Sequence, residues 1–142
     1  MSIRTINRLI FFLSLAGLAV SAFLAFEYSQ SSIVCPISGV GCNIVRKSNY
    51  SSFLGISLPY LGITFYLTLA ILTVFLTQSF NLLFQFLRLI ITFLGFAFGI
   101  YLTFLEAFVI RAFCIWCLIS FIISTVIFVL SAKNPIWDKK EI

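Results

Sequence analysis

The sequence has few of the residues on which soluble enzymes rely. It contains no histidine, and Asp, Glu, Lys and Arg together make up only 9% of its 142 residues. Average soluble domains carry roughly 25% charged residues, so the scarcity of charge excludes an ordinary water-soluble fold. The missing histidine removes the commonest general base and the commonest metal ligand, so the chemistry must use other groups.

Apolar residues take the place of the charged ones. They make up 62% of the chain and include 18 phenylalanines, whereas there are only three prolines and seven glycines. A water-soluble fold of this length could not bury so much apolar surface, so lipid must surround most of the chain. A membrane β-barrel alternates apolar and polar residues, whereas the apolar runs here are near-continuous. The composition therefore predicts an all-α integral membrane protein.

Four apolar windows of about 20 residues have the length of bilayer-spanning helices. They cover residues 9–26, 56–76, 83–105 and 113–131. The connections before the third and fourth windows are short, which makes neighbouring helices antiparallel. We therefore expect a single domain over residues 1–142, a four-transmembrane-helix bundle whose one long connection is the loop of residues 27–55 between helices 1 and 2.

The basic residues lie at the ends of these windows and not in one patch, so membrane topology explains the net charge of +5 and no nucleic-acid partner is expected. An even number of spans places both termini on one side. That side holds six basic residues: Arg4, Arg8, Arg88, Lys133, Lys139 and Lys140. The other side holds three: Arg46, Lys47 and Arg111. This bias predicts cytoplasmic termini and an extracytoplasmic loop in a cell membrane, with Arg88 extending to the interface.

Four cysteines lie on the predicted extracytoplasmic side, where disulfides persist. They form two close pairs: Cys35 with Cys42, and Cys114 with Cys117. A proline and two glycines separate the first pair, so this part of the loop is rich in turns. The second pair is a C-x-x-C, "FCIWC", where the last apolar window begins. Two pairs on one side point to a disulfide function more than to chance.

The C-x-x-C has the setting of a redox-active disulfide. The start of a helix offers free backbone N–H groups and the positive end of the helix dipole, which favour the thiolate form. Thiolate is the species that attacks in disulfide exchange. A zinc site is disfavoured because the C-x6-C spacing is unusual and no histidine helps. Two structural disulfides that only brace a non-catalytic membrane scaffold remain an alternative, which resistance to exchange would reveal.

These features together resemble the vitamin K epoxide reductase family in its short prokaryotic form. The resemblance rests on the C-x-x-C that opens the last helix, the paired loop cysteines, and the segment "SNYSSFLGISLPYLGITFY" that leads into the second helix. It covers nearly the whole chain. It implies a four-helix bundle around a quinone, either ubiquinone or menaquinone.

The resemblance also implies an electron path that ends at the quinone. Cys35 would meet a thioredoxin-like extracytoplasmic partner, Cys42 would exchange with Cys114, and Cys117 would face the quinone ring. The protein would thus oxidise its partner and support disulfide formation outside the cytoplasm. Because the chain ends at Ile142 without a thioredoxin-like domain, the partner is expected to be a separate protein.

The quinone contacts that the resemblance implies lie in two places. Ser51, Ser52, Phe53 and Leu54 come from the loop, and Phe121 follows the C-x-x-C by four residues. Animal enzymes of the family have tyrosine at the latter position. Phenylalanine cannot donate a hydrogen bond, which favours plain quinone reduction over epoxide reduction.

Two further expectations concern packing around the site. Phe53 and Leu54 are expected in a short amphipathic helix at the membrane surface, where they would cover the site. Small residues in the second and third helices are expected to let helices approach closely, more than to line the quinone directly. These residues are Gly62, Gly95, Ala97 and Gly99.

Overall fold

A computed structural model of the chain describes residues 3–29, 47, 52–53, 55–79, 81–111 and 115–133. Its four long helices are α1 (Ile3–Ser29), α2 (Leu58–Gln78), α3 (Leu82–Phe104) and α4 (Ile115–Lys133). Each is long and apolar enough to cross a membrane. The predicted fold class is therefore confirmed: this is an all-α membrane protein with four spanning helices. Most of the loop of residues 27–55 lies outside the described residues.

The helices form a ring in which neighbours run antiparallel. α1 packs most extensively on α2 and also on α4, while α3 packs on α4 and less extensively on α2. The bundle therefore has two ends. What we call the Asn7 end contains the starts of α1 and α3 and the ends of α2 and α4. The Cys117 end contains the ends of α1 and α3 and the starts of α2 and α4.

A closed apolar core fills the bundle from its middle toward the Asn7 end. It is formed by Ile6, Ile10, Tyr66, Leu69 and Ile127, which come from α1, α2 and α4. Many large apolar side chains on the outer surface are exposed, and Phe108 on this surface is 67% exposed. Such an apolar outer surface is favourable only where hydrocarbon replaces water. The membrane environment thus explains the many exposed apolar side chains.

The predicted position of Arg88 at the interface is wrong. The side chain is only 1% exposed, and its Nη1 donates a hydrogen bond of 2.8 Å to Oδ1 of Asn7 on α1. A guanidinium within a bundle requires acceptors from other helices because hydrocarbon offers none. Asn7, which is also buried, supplies one across the bundle. The bond therefore joins α1 to α3, two helices that are not neighbours in the ring.

The chain enters α2 through a small hairpin, and this corrects two expectations. Strand β1 (Ser52–Phe53) pairs antiparallel with β2 (Ile56–Ser57), so Phe53 lies in a strand and not in an amphipathic helix. Leu54 lies outside the described residues. Gly55 has a φ of 82°, a conformation that glycine adopts without strain. Ile56 and Ser57 pair in β2, so α2 begins at Leu58 and not at residue 56 as predicted; Pro59 lies in its first turn, where a missing N–H is tolerated.

The connections on either side of α3 are short, as predicted. Asn81 caps the start of α3, since its side chain accepts a hydrogen bond of 3.1 Å from the backbone N–H of Leu83. At its other end α3 continues into a π-helical turn, Leu105–Ile110, so Glu106 lies within helical structure and not before a turn. Arg111 ends this turn in a left-handed conformation, and its N–H donates to the carbonyl of Glu106.

We expect the Asn7–Arg88 bond to stabilise the bundle. Asn7→Leu leaves a buried guanidinium without its acceptor, and a lost hydrogen bond to a charged group costs about 1.5–3 kcal/mol of unfolding free energy. Arg88→Met removes the buried charge itself. The double variant Asn7→Leu/Arg88→Met should therefore regain part of the unfolding free energy that Asn7→Leu loses. The measurement is a double-mutant cycle of unfolding in detergent, with Arg8→Met at an exposed neighbour as control. Additive losses would show that the two side chains do not depend on each other.

Candidate active site

A cavity of about 630 Å³ lies between the four helices at the Cys117 end. All four helices contribute to its wall, which is mostly aliphatic and aromatic. Small-molecule sites in proteins are typically apolar cavities of roughly 300–1,000 Å³ with a few polar groups. In size and lining, this cavity has the properties of a site for an apolar small molecule.

Cys117 brings a thiol into this cavity. It is the third residue of α4, and its half-buried side chain is part of the cavity wall. The first turn of a helix presents free N–H groups and the positive end of the dipole, which stabilise a thiolate. The other predicted redox residues, Cys35, Cys42 and Cys114, lie outside the described residues. The pairing of the four cysteines therefore stays a prediction.

Tyr66 forms the boundary between the cavity and the closed core. Its ring belongs to the core, and it also lines the cavity. The hydroxyl donates a hydrogen bond of 2.9 Å to the carbonyl of Ser120, and it lies 2.9 Å from the hydroxyl of the same residue. On α1 the ring lies against Gly17, where any side chain would overlap it. Tyr66 thus joins three helices directly below the first turn of α4.

One face of α4 carries several polar groups of the site. Cys117, Ser120, Phe121 and Ser124 all line the cavity and follow the i, i+3, i+4, i+7 spacing of a single helix face. The hydroxyl of Ser124 is buried and has no hydrogen-bond partner among the described residues. Trp116 also lines the cavity, and its indole Nε1 is likewise buried with no hydrogen-bond partner among the described residues. Both groups can donate a hydrogen bond to a ligand.

The residues predicted to contact the quinone lie in different parts of the structure. Phe121 lines the cavity, stacked 6.0 Å from the ring of Phe96 on α3. Ser51 and Leu54 lie outside the described residues, while Ser52 and Phe53 form β1 in the hairpin before α2. The hairpin is at the Cys117 end, but the lining described for the cavity begins at Leu58 on this side. The role of the loop residues therefore stays a prediction.

Three of the four predicted small residues belong to the cavity wall. Gly62, Gly95 and Gly99 all line it, whereas Ala97 is exposed on the outer surface. A side chain at Gly95 would overlap the ring of Phe65, and one at Gly99 would overlap the ring of Phe121. Gly95 and Gly99 therefore let aromatic rings lie close against α3, and all three glycines form part of the cavity wall. Their direct contact with a quinone stays a prediction.

Sequence reasoning missed several residues of the site: Tyr66, Trp116, Ser120 and Ser124 were not predicted to line it. A signal for two of them was present, because Ser120 and Ser124 stand three and seven residues after Cys117 and share its helix face. Glu106, which sequence reasoning did not place in the site either, is 4% exposed and lines the cavity. Among the described residues no group of three or more His, Cys, Asp or Glu is placed to hold a metal ion.

We expect Gly99→Leu to destabilise the protein by forcing Phe121 away from α3. Overpacking of this kind costs about 1–3 kcal/mol of unfolding free energy. Ala97→Leu, on the exposed face of the same helix, is the matched control and should unfold as the wild type does. Thermal unfolding in detergent measures both. Equal stability of Gly99→Leu and the control would mean that Phe121 is not held against this glycine.

Comparison with known proteins agrees with this arrangement. The model of the vitamin K epoxide reductase family matches residues 8–132, a range that includes the cavity and Cys117. A search of curated proteins found no match. The family match extends over most of the chain, and its members generally use quinone substrates. The chain therefore belongs to the vitamin K epoxide reductase family, and it is a multi-pass membrane thiol oxidoreductase.

Proposed function

We propose that this protein transfers electrons from a thioredoxin-like partner to a quinone. Cys35 and Cys42 receive the electrons, Cys114 and Cys117 pass them on, and the quinone binds in the cavity. The result is the formation of disulfide bonds in extracytoplasmic proteins. The observation that carries the proposal is the thiol of Cys117 in the wall of a large apolar cavity between membrane helices.

The chemistry of the wall fits a quinone. A quinone has an apolar ring with two carbonyl oxygens, which accept hydrogen bonds but donate none. Two buried donors of the cavity wall have no partner among the described residues, Nε1 of Trp116 and the hydroxyl of Ser124, and they meet that requirement. Burying such groups unsatisfied costs about 1–3 kcal/mol each, so a ligand that accepts from them binds more tightly. When bound, the quinone supplies a two-electron acceptor.

A route for the quinone from the bilayer is part of this proposal. Leu94 on α3 lines the cavity and is 60% exposed. α2 and α3 are also the pair of neighbouring helices with the least extensive packing. A quinone dissolved in the bilayer would enter from this side of α3.

The residues of the chain prepare the site for thiol chemistry. The start of α4 stabilises a thiolate at Cys117, and Tyr66 fixes the adjacent turn through its bonds to Ser120. The apolar wall excludes water, which strengthens the few polar interactions inside. Because thiol–disulfide exchange proceeds by direct attack of one thiolate on the next disulfide, no metal or histidine is required.

The orientation of the proposed relay rests on the distribution of basic residues. Six of the nine lysines and arginines lie toward the Asn7 end and the termini, which favours a cytoplasmic position for that end. The Cys117 end is then extracytoplasmic, where the partner and its client proteins would be oxidised. The burial of Arg88 reduces the number of interfacial charges on the cytoplasmic side to five, so the bias is smaller but keeps its sign.

The first test is quinone reduction by the purified protein in detergent. A reduced thioredoxin-like protein is the electron donor, and ubiquinone and menaquinone are compared as acceptors. The wild type should consume quinone, and Cys→Ala at any of the four cysteines should abolish partner-driven turnover. Ser131→Ala, at the other end of α4 and outside the cavity, is the control and should keep full activity. An inactive wild type whose disulfides resist reduction would favour the disulfide-braced scaffold instead.

Trp116→Phe tests whether the indole donates to the quinone. The substitution keeps an aromatic ring next to Phe23, whose centroid is 4.9 Å from that of Trp116, but it removes the N–H. Loss of one hydrogen bond of about 0.5–1.5 kcal/mol should raise KM for quinone roughly two- to tenfold. Trp137→Phe, beyond the last membrane helix in the sequence, is the control. An unchanged KM would exclude the indole as a ligand donor.

A further inference from the structure

Glu106 is a buried carboxyl group in the wall of the cavity. It is 4% exposed, lies in the π-helical turn after α3, and lines the same cavity as Cys117. Ionisable side chains at membrane depth are costly, and those that are present usually serve a function. π-Helical turns within helices also occur frequently at functional sites. The proposed electron path does not use this carboxyl group.

The antiparallel packing of α3 and α4 places Glu106 beside the start of α4. Gly99 on α3 lies against Phe121 on α4, so residues farther along α3 lie beside residues nearer the start of α4. Thr103 and Glu106, one and two turns after Gly99, continue along the cavity wall, which on α4 begins at Trp116 and Cys117. The carboxyl group and the thiol therefore border the same part of the cavity.

Few other groups in this cavity can exchange protons. The described wall contains Tyr66 from α2 and Cys117 from α4, while α1 contributes only Val20, Ser21 and Leu24 and α3 contributes no ionisable side chain. The hydroxyl of Tyr66 already donates a hydrogen bond to the carbonyl of Ser120. Glu106 is therefore the carboxyl group through which a proton can move within the described wall.

We propose that Glu106 is a catalytic residue that carries a proton between the thiol pair and the bound quinone, an inference that rests on the proposed function. When two thiols become one disulfide, they lose two electrons and two protons. The quinone gains two electrons and two protons as it becomes a quinol, so the overall reaction balances. Glu106 accepts one proton from the thiol side and donates it to a quinone oxygen, and its own protonation state is restored at the end of each turnover.

The test compares Glu106→Gln, Glu106→Asp and the wild type with dithiothreitol as donor and a short-chain ubiquinone as acceptor. Glu27→Gln is the matched control, because Glu27 is a buried carboxyl at the same end of the bundle that does not line the cavity. Positioned acid–base groups typically contribute about 100- to 10,000-fold to rates. We expect Glu106→Gln to lower kcat at least about 100-fold, with KM for quinone within about twofold of the wild type.

Two further results are expected from the same preparations. Glu106→Asp retains a carboxyl group and should recover much of the rate that Glu106→Gln loses. The pH profile of kcat should contain one ionisation in the wild type and Glu27→Gln that is missing in Glu106→Gln. A change in packing alone would not remove a single ionisation while leaving KM unchanged.

The other outcomes are distinguishable. Wild-type rates in Glu106→Gln would overturn this inference and leave the proposed function intact. A loss of rate that is matched by loss of quinone affinity or of thermal stability would assign Glu106 a packing role, which also overturns it. A wild type that consumes no quinone with dithiothreitol would overturn the proposed function, and this inference with it.

Discussion

The position of Tyr66 is the constraint on which the rest of the site depends. Its ring closes the apolar core that extends toward the Asn7 end, and the same ring forms the floor of the cavity at the Cys117 end. It fits there because Gly17 has no side chain, and it is held there because its hydroxyl bonds to Ser120. Ser120 is one turn after Cys117, so the packing of α1 on α2 fixes the turn of α4 that carries the thiol. A change at this one ring would therefore affect both the core and the site.

Hydrocarbon offers no hydrogen-bond partners, so many buried polar groups in the membrane helices bond to the protein itself. Ser14 donates to the carbonyl of Ile10 at 2.8 Å, and Thr73 donates to that of Leu69 at 2.7 Å. Arg88 is bonded across the bundle to Asn7. Nε of Arg88 and the hydroxyl of Ser131, toward the Asn7 end, have no partner among the described residues, and neither does the indole of Trp116 in the cavity wall. Because hydrocarbon cannot satisfy such donors, those in the cavity wall favour a ligand that brings its own acceptors.

The sequence predicts the four helices well because their signal is strong: long apolar runs set by the thickness of the bilayer. Cys117 could be placed at the start of a helix because the C-x-x-C opens the last apolar window, and Phe121 was predicted from the family resemblance; both line the cavity. Arg88 was misplaced because the sequence does not reveal that Asn7, 81 residues earlier, supplies an acceptor. Tyr66 and Trp116 were missed for a related reason, since an aromatic residue in an apolar helix reads the same whether it faces lipid or a cavity.

The glycines on α3 explain how a bundle so rich in phenylalanine keeps an open interior. Aromatic side chains would normally fill the space between four helices, and a stable packed interior contains few voids. Here the ring of Phe65 lies against Gly95 and the ring of Phe121 against Gly99, so both rings rest on α3. A scaffold that served only to hold disulfides would gain stability if side chains filled this cavity, because cavities are costly. An oxidoreductase that must admit a flat ring next to a thiol has a reason to retain the space.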